Sequence, residues 1–425
     1  MKSFSELPLS APLRSNLVKH GFVDPTPVQA LAIEPALAGR DLVATAQTGT
    51  GKTLAFVLPI LQTISQLPKQ PAGPGIRAIV LSPTRELAMQ INDTFVKMAA
   101  GTGIRASIAV GGLSENAQLR SIRNGSQVLI ATPGRLSDFM GRNLVDFRNV
   151  RILVLDEADR MLDMGFLPTV QKIIAATPSD RQMLLFSATL QSSVKHLVQT
   201  HVRDAVRVEV GDTSKPIEKI ELHLYEVEQD RKLGLLQRML DQEEGSFLVF
   251  ARTKHGADKL AKKLSREGLN ATAIHGNRSQ SQRTQALRGF QDGDYRVLVA
   301  TDVASRGIHV EGIAHVVNYD LPQVPEDFIH RVGRTGRAGA AGTASTFATR
   351  AERSEILRIE RTLDAKLVRR QVPSDVPAEK HSDKGERRVA PVIVIPASIS
   401  RSAPHAKRQV RSFGPRGKGA RRRAV

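Results

Sequence analysis

Eight residues, Ala46-Gln47-Thr48-Gly49-Thr50-Gly51-Lys52-Thr53, stand between a strand-like run, Asp41 to Thr45, and a helix-like stretch, Leu54 to Ile64. Strand, glycine-rich loop, Lys-Thr and helix is the layout of a phosphate-binding loop. Such a loop works because consecutive backbone N–H groups turn inward around phosphate oxygens, at the positive end of a helix. Glycines let the backbone come close. Lys52 is expected to reach the outer phosphates of a nucleoside triphosphate, and Thr53 to ligate Mg2+. The generic pattern begins with glycine, whereas this chain has Ala46.

A second stretch completes the chemistry. Val150 to Leu155 is apolar except for Arg151 and runs into Asp156-Glu157-Ala158-Asp159. Two adjacent carboxylates where a buried strand ends are costly unless they bind something. Asp156 is expected to hold the metal ion, directly or through water, and Glu157 to orient and deprotonate an attacking water. Together the two stretches point to a nucleoside triphosphatase.

The same rhythm runs along the chain. Ala78 to Leu81 ends in Ser82-Pro83-Thr84-Arg85-Glu86-Leu87, Val128 to Ile130 in Ala131-Thr132-Pro133-Gly134-Arg135, and Met183 to Phe186 in Ser187-Ala188-Thr189. Strands alternating with helix-like stretches predict a parallel sheet covered on both faces. Ligands of such sheets bind beyond the carboxyl ends of the strands, so the polar clusters are expected on one edge. Residues 209–218 are turn-rich and read as a linker. The rhythm then restarts with Phe247 to Phe250, Ala271 to Ile274, Arg296 to Ala300 and Val316 to Tyr319. This second α/β domain has no phosphate loop. It carries His330-Arg331-Val332-Gly333-Arg334-Thr335-Gly336-Arg337 instead. Arg334 and Arg337 suit arginine fingers, which would act only when the two domains close on each other. The predicted boundaries are 1–208, 209–218, 219–369 and a basic, disordered tail over 370–425.

Charge and composition narrow the partner. The 425 residues carry a net +19. From Lys366 onward 16 Lys or Arg face 4 Asp or Glu, leaving +7 for the rest. A basic tail on a mildly basic body suits a polyanion, most simply nucleic acid. Thr84, Arg85, Thr132, Arg135 and Thr301 stand at strand ends and suit contacts to a phosphate backbone. Aromatics are 4% of the chain with no Trp, too few for a run of base-stacking platforms, which predicts little sequence reading. Near the start, two prolines in Asp24-Pro25-Thr26-Pro27 set a helix entry. Beside them Phe22 and Gln29 suit stacking on a purine and pairing with it through the amide. The absence of Cys excludes disulfides and thiolate metal sites and fits a reducing cytoplasm. No leader-like or bilayer-spanning apolar run is present, so no membrane partner is expected. An apolar island in the tail, Val392 to Ile395, has no assigned role.

Taken in order, Phe4, the Gln29 segment, AQTGTGKT, PTREL, Gly111-Gly112, TPGR, DEAD, SAT, Arg306-Gly307 and HRVGRTGR resemble the DEAD-box ATP-dependent RNA helicases over roughly residues 1 to 368. His275-Gly276-Asn277-Arg278-Ser279-Gln280, the short second domain and the basic tail resemble the bacterial RhlE-type subgroup. The resemblance implies two tandem RecA-like domains around an ATP cleft, with RNA across both and Gly112 among its contacts. It implies adenine recognition by Phe22 and Gln29, and coupling of hydrolysis to strand separation through Ser187, Thr189 and His330. It implies local unwinding of short duplexes or remodelling of RNA–protein complexes, as in ribosome assembly or RNA decay. One position departs: His309 stands where the family usually has Asp against the ATP ribose. That change predicts weaker nucleotide binding, read out as a lower ATP Michaelis constant in His309→Asp.

Overall fold

Near-continuous apolar strands demand cover on both faces, and the chain supplies it twice. The computed structural model describes residues 3–46, 50–68, 75–210, 220–302, 312–336 and 342–379. Seven strands build the first domain: β1 (Leu42–Thr45), β2 (Ala78–Leu81), β3 (Ala106–Ala109), β4 (Val128–Ala131), β5 (Ile152–Leu155), β6 (Gln182–Ser187) and β7 (Val206–Glu209). They form a parallel sheet in the order β3-β4-β2-β5-β6-β1-β7. The second domain repeats the plan with β8 (Ile220–Glu226), β9 (Phe247–Phe250), β10 (Ala271–Ile274), β11 (Val297–Ala300), β12 (His315–Asn318), β13 (Gly342–Ala348) and β14 (Val368–Arg370), ordered β10-β11-β9-β12-β13-β8-β14.

Each sheet divides its side chains between two cores, as the two-residue period of a strand requires. Leu42, Val80, Ile130, Val154 and Phe186 join one core of the first domain; Val43, Ile79, Leu129, Leu153 and Leu185 join the other. The second domain splits the same way, with Leu248 and Leu298 on one face and Val249 and Val299 on the other. Each such side chain contributes roughly 1.5–3 kcal/mol of burial. A polar change at the middle of β5 would therefore break both the core and the edge it supports.

The packed chain continues beyond the expected boundary at residue 369. β14 pairs with β8, and the following segment lies along the second domain. Val376 is buried, Arg238 bonds Asp375 at 2.5 Å, and Lys263 bonds Glu379 at 2.5 Å. Gly234 is held to glycine here, since a Cβ would sit 2.5 Å from the Pro377 carbonyl oxygen. The first compact unit ends at Glu379. The expected linker, from residue 211, and the tail from Lys380, including Val392 to Ile395, lie outside the described residues.

Candidate active site

Strand order places the chemistry. β5, β6 and β1 are neighbours, with Thr45 level with Ser187 and Leu155 level with Leu185. The paired carboxylates, the Ser-Ala-Thr turn and the head of the glycine loop therefore share one sheet edge. The Ala46 N–H donates to the Ser187 carbonyl at 2.9 Å, tying loop to turn.

Gly51 enters the helix Lys52–Gln66 at φ 86°, a conformation that favours glycine. A Cβ there would lie 2.5 Å from the Gln29 amide nitrogen. That nitrogen donates to the Gly51 carbonyl at 2.9 Å, while Gln29 Oε1 accepts from the Thr26 N–H at 2.9 Å. Gln29 thus braces the loop through both ends of its amide, and among the described residues its second N–H has no partner. Phe22 is half-buried against the adjoining core. Lys52 is buried, and among the described residues its ammonium donates only to the Ala46 carbonyl, at 2.9 Å. Thr50 and Thr53 flank it half-buried. Gln47, Thr48 and Gly49 lie outside the described residues.

Glu157 takes a left-handed backbone, φ 51° and ψ 53°, and starts the helix Ala158–Asp163 directly after the strand. This costs a non-glycine residue roughly 1–2 kcal/mol. The tight turn keeps Asp156 and Glu157 at the edge. Burial pushes Asp156 up to about 7, against the pull of Lys52 and with the push of Glu157. Burial also opposes ionisation of Glu157, but Arg160, Lys52 and Arg334 overcome it and hold that carboxyl at about 2. Arg160 Nη1 meets Glu157 Oε2 at 2.5 Å. A buried ammonium with spare donors, beside a carboxyl that burial keeps from ionising, fits a polyphosphate carrying a divalent cation.

The next carboxylate closes the turn. Asp159 Oδ2 accepts from the N–H groups of Ala188 and Thr189, at 3.0 and 2.9 Å, and from the Thr189 hydroxyl at 3.2 Å. The Asp159 N–H reaches Ser187 Oγ at 3.3 Å, and that hydroxyl donates to the Thr189 carbonyl at 2.7 Å. Sequence reading gave Asp159 and Arg160 no role; standing within the DEAD string and directly after it was the available signal.

The second domain presents the helix Pro325–Val332 and the following turn to these carboxylates. His330 is held below the ordinary imidazole range by burial first, then by Arg160 and Arg334, with Asp159 and Asp327 opposing. Arg334 is buried, donates from Nε to the His330 carbonyl at 3.2 Å, and is close enough to lower Glu157. Arg331 is turned inward instead. It forms a two-pronged pair with Asp302 at 2.5 and 2.7 Å and lies 4.8 Å from the Phe250 ring centre. Arg337, Arg306-Gly307 and His309 lie outside the described residues.

A second bridge between the domains was not anticipated. Glu86 meets Arg283 at 2.9 Å and accepts from the Gln280 amide at 2.9 Å, with all three residues buried. The i, i+3 spacing of Gln280 and Arg283 on a helix capped by Ser279 was its only sequence signal.

The expected nucleic-acid contacts lie along the same edges. Thr84 caps the helix Arg85–Ala99 by accepting from the Leu87 N–H. The Arg85 guanidinium lies against Gly111 and Gly112; a Cβ on Gly112 would meet it at 2.1 Å, and Gly112 has φ 77°. Thr132 precedes the helix Pro133–Gly141 and is nearly buried, as is Thr301 after β11. Arg135 is paired with Glu115 at 3.1 Å and lies over Phe139.

A carboxylate edge, a phosphate-type loop and a basic turn delivered from a second sheet define a nucleoside triphosphatase with two RecA-like domains. Residues 26–197 match the DEAD/DEAH box helicase family and residues 231–339 the helicase conserved C-terminal domain. The chain is 39% identical to the DEAD-box ATP-dependent RNA helicase CshA of Bacillus subtilis (strain 168), over 88% of this chain and 74% of that protein. It is 38% identical to CshA of Geobacillus kaustophilus (strain HTA426), over 88% and 79%. Among solved structures it resembles S. cerevisiae Dbp5 bound to RNA and ADP BeF3, with TM-score 0.76 and 32% identity over 88% of this chain and 96% of that one. It also resembles Mss116p bound to ssRNA and AMP-PNP, with TM-score 0.77 and 27% identity over 86% and 78%. The chain belongs to the DEAD-box ATP-dependent RNA helicases, and its activity is RNA-dependent ATP hydrolysis coupled to RNA unwinding.

Proposed function

We propose that hydrolysis runs on Glu157 as the base for the attacking water, with Lys52 on the outer phosphates and Arg334 and Arg337 against the charge that develops on them. The observation that carries this is the set of cations around Glu157: Arg160 and Lys52 from its own domain and Arg334 from the other hold it ionised in a buried site. Mg2+, held by Asp156 and Thr53, would supply charge neutralisation for the triphosphate. Gln29 and Phe22 would select adenine, Gln29 with its second N–H. Gln47 to Thr50 would complete the cradle with Ala46 and Gly51.

RNA would lie along the edges bearing Thr84, Arg85, Gly112, Thr132, Arg135 and Thr301, held by its backbone. Ser187, Thr189 and His330 would transmit phosphate status to it through the Asp159 turn. In this reading ATP closes the cleft, closure bends one RNA strand away from its partner, and hydrolysis reopens it. Within the family, His275 to Gln280 and the basic tail favour the RhlE-type subgroup, although the relatives above carry the CshA name. A cytoplasmic place in ribosome assembly or RNA decay follows from the family alone.

The test is the ATPase rate with single-stranded RNA, with DNA of the same sequence, and with neither. RNA-selective stimulation that falls at least roughly 10²-fold in Glu157→Gln is expected. A Glu157→Gln enzyme that keeps its rate would remove the base from this residue.

A further inference from the structure

Opposite the catalytic edge, the first sheet ends in an open pocket of about 410 Å³. Phe95, Val96 and Ala99 come to it from the end of the helix Arg85–Ala99, Ile104 from the entry to β3, and Ser121 and Ser126 from the end of the helix Glu115–Arg123 and the turn beyond it. These two helices cover opposite faces of the sheet, so the pocket wraps the edge at β3. Among the described residues β3 pairs with β4 alone, at the end of the sheet order.

The pocket's lining is mixed, with Arg105, Asn124 and two serines among its apolar residues. Phe95 and Ile104 are buried core residues, whereas Val96 stands 59% exposed at the rim. The serine hydroxyls are spent within the wall: Ser107 Oγ lies 2.6 Å from Ser121 Oγ and 2.5 Å from Ser126 Oγ. The surroundings are basic. Lys97, Arg105, Arg120 and Arg123 are exposed and have no carboxylate partner among the described residues. Elsewhere on this domain Arg135, Arg142, Arg148 and Arg151 are each paired with one.

We propose that this edge is a docking site for an acidic, extended peptide segment of another protein, which adds to β3 and places one apolar side chain in the pocket. The free strand edge offers main-chain hydrogen bonds, the pocket selects an alternate side chain, and the unpaired cations select acidic flanks. RNA satisfies the cations but brings no aliphatic side chain for the Val96 rim, and Phe95 is buried and so offers no ring face for a base to stack on. Because the pocket lies at the far end of the helix that begins with Arg85, an occupant leaves the catalytic edge open.

A synthetic acidic peptide with one central photoreactive leucine tests this on the full chain. Cross-links are expected within residues 95–106 or 121–126. Affinity is expected to fall roughly tenfold or more in Arg105→Glu/Arg123→Glu, in Val96→Asp, and for the peptide with Ser in place of Leu. RNA-stimulated ATPase, unchanged in both variants, reports that they fold. Cross-links confined to the basic tail, equal binding by the variants, or equal binding of the Ser peptide would each overturn the proposal. So would a loss of single-stranded RNA affinity in the variants without loss of peptide binding.

Discussion

Glu157 and Asp159 share one short turn, and the proposed roles give the first to chemistry and the second to coupling. Asp159 is met by two N–H groups and a hydroxyl from the Ser-Ala-Thr turn, so its charge organises that turn. Asp159→Asn keeps the shape but weakens these bonds by about 1–3 kcal/mol. Duplex unwinding is expected to fall further than RNA-stimulated ATPase; equal loss of both would place Asp159 in hydrolysis alone. His330 gives a pH signature. Its folded pKa is lowered, so states that expose it bind protons more readily than the closed one. Closure is therefore favoured above the ordinary imidazole pKa and is lost as pH falls from there toward the depressed value. Between about pH 8 and about pH 5.5 the wild-type RNA-stimulated rate should drop on an acid limb that His330→Gln flattens. An identical limb in the variant would assign the titration elsewhere.

At the scale of elements, two helices face each other across the domains through Glu86, Gln280 and Arg283. Breaking a buried pair leaves a charge without its partner, worth about 3–5 kcal/mol where no water can enter. In the proposed cycle cleft opening would rehydrate Glu86, so Arg283→Ala is expected to weaken closure rather than unfold either domain. RNA-stimulated ATPase should fall roughly tenfold or more, about 1.4 kcal/mol, while the basal rate and melting temperature hold. A lowered melting temperature would instead make the pair part of the fold. Central strands such as β2, β4, β5 and β9 were legible because burial on both faces makes them near-continuous apolar runs. β3 and β7 were not: at the sheet edges their half-exposed residues carry no such run. β13 was hidden differently, since Ser345 and Thr346 are polar yet buried within it.

For the whole molecule, the boundary at Glu379 separates two effects that a single truncation would merge. Beyond it stand 13 Lys or Arg against 2 Asp or Glu. Removing Lys380 to Val425 is expected to weaken RNA binding and flatten its salt dependence by about 0.7 in logarithmic slope per lost phosphate contact. The melting temperature should not move. Truncation after Arg370 also strips Val376 and the pairs at Asp375 and Glu379 from the second domain. Loss of the Val376 contact alone costs about 1.5 kcal/mol, so this variant should melt a few degrees lower. Equal melting of the two truncations would mean the docked segment adds nothing.

Residues adjacent in the chain were enough to point to the chemistry. A glycine loop with Lys-Thr and paired carboxylates after an apolar strand state their use locally, because phosphate and metal binding need groups a few residues apart. Sequence also gave the sign of the partner, through a tail whose charge is additive along the chain. Folding decided what depends on approach between distant segments. Arg334 acts on Glu157, Asp159 grips Ala188 and Thr189, Gln29 braces Gly51, and Glu86 pairs with Arg283 only because strand order and domain closure bring them within hydrogen-bond or Coulomb range. Spacing along a chain does not encode those distances.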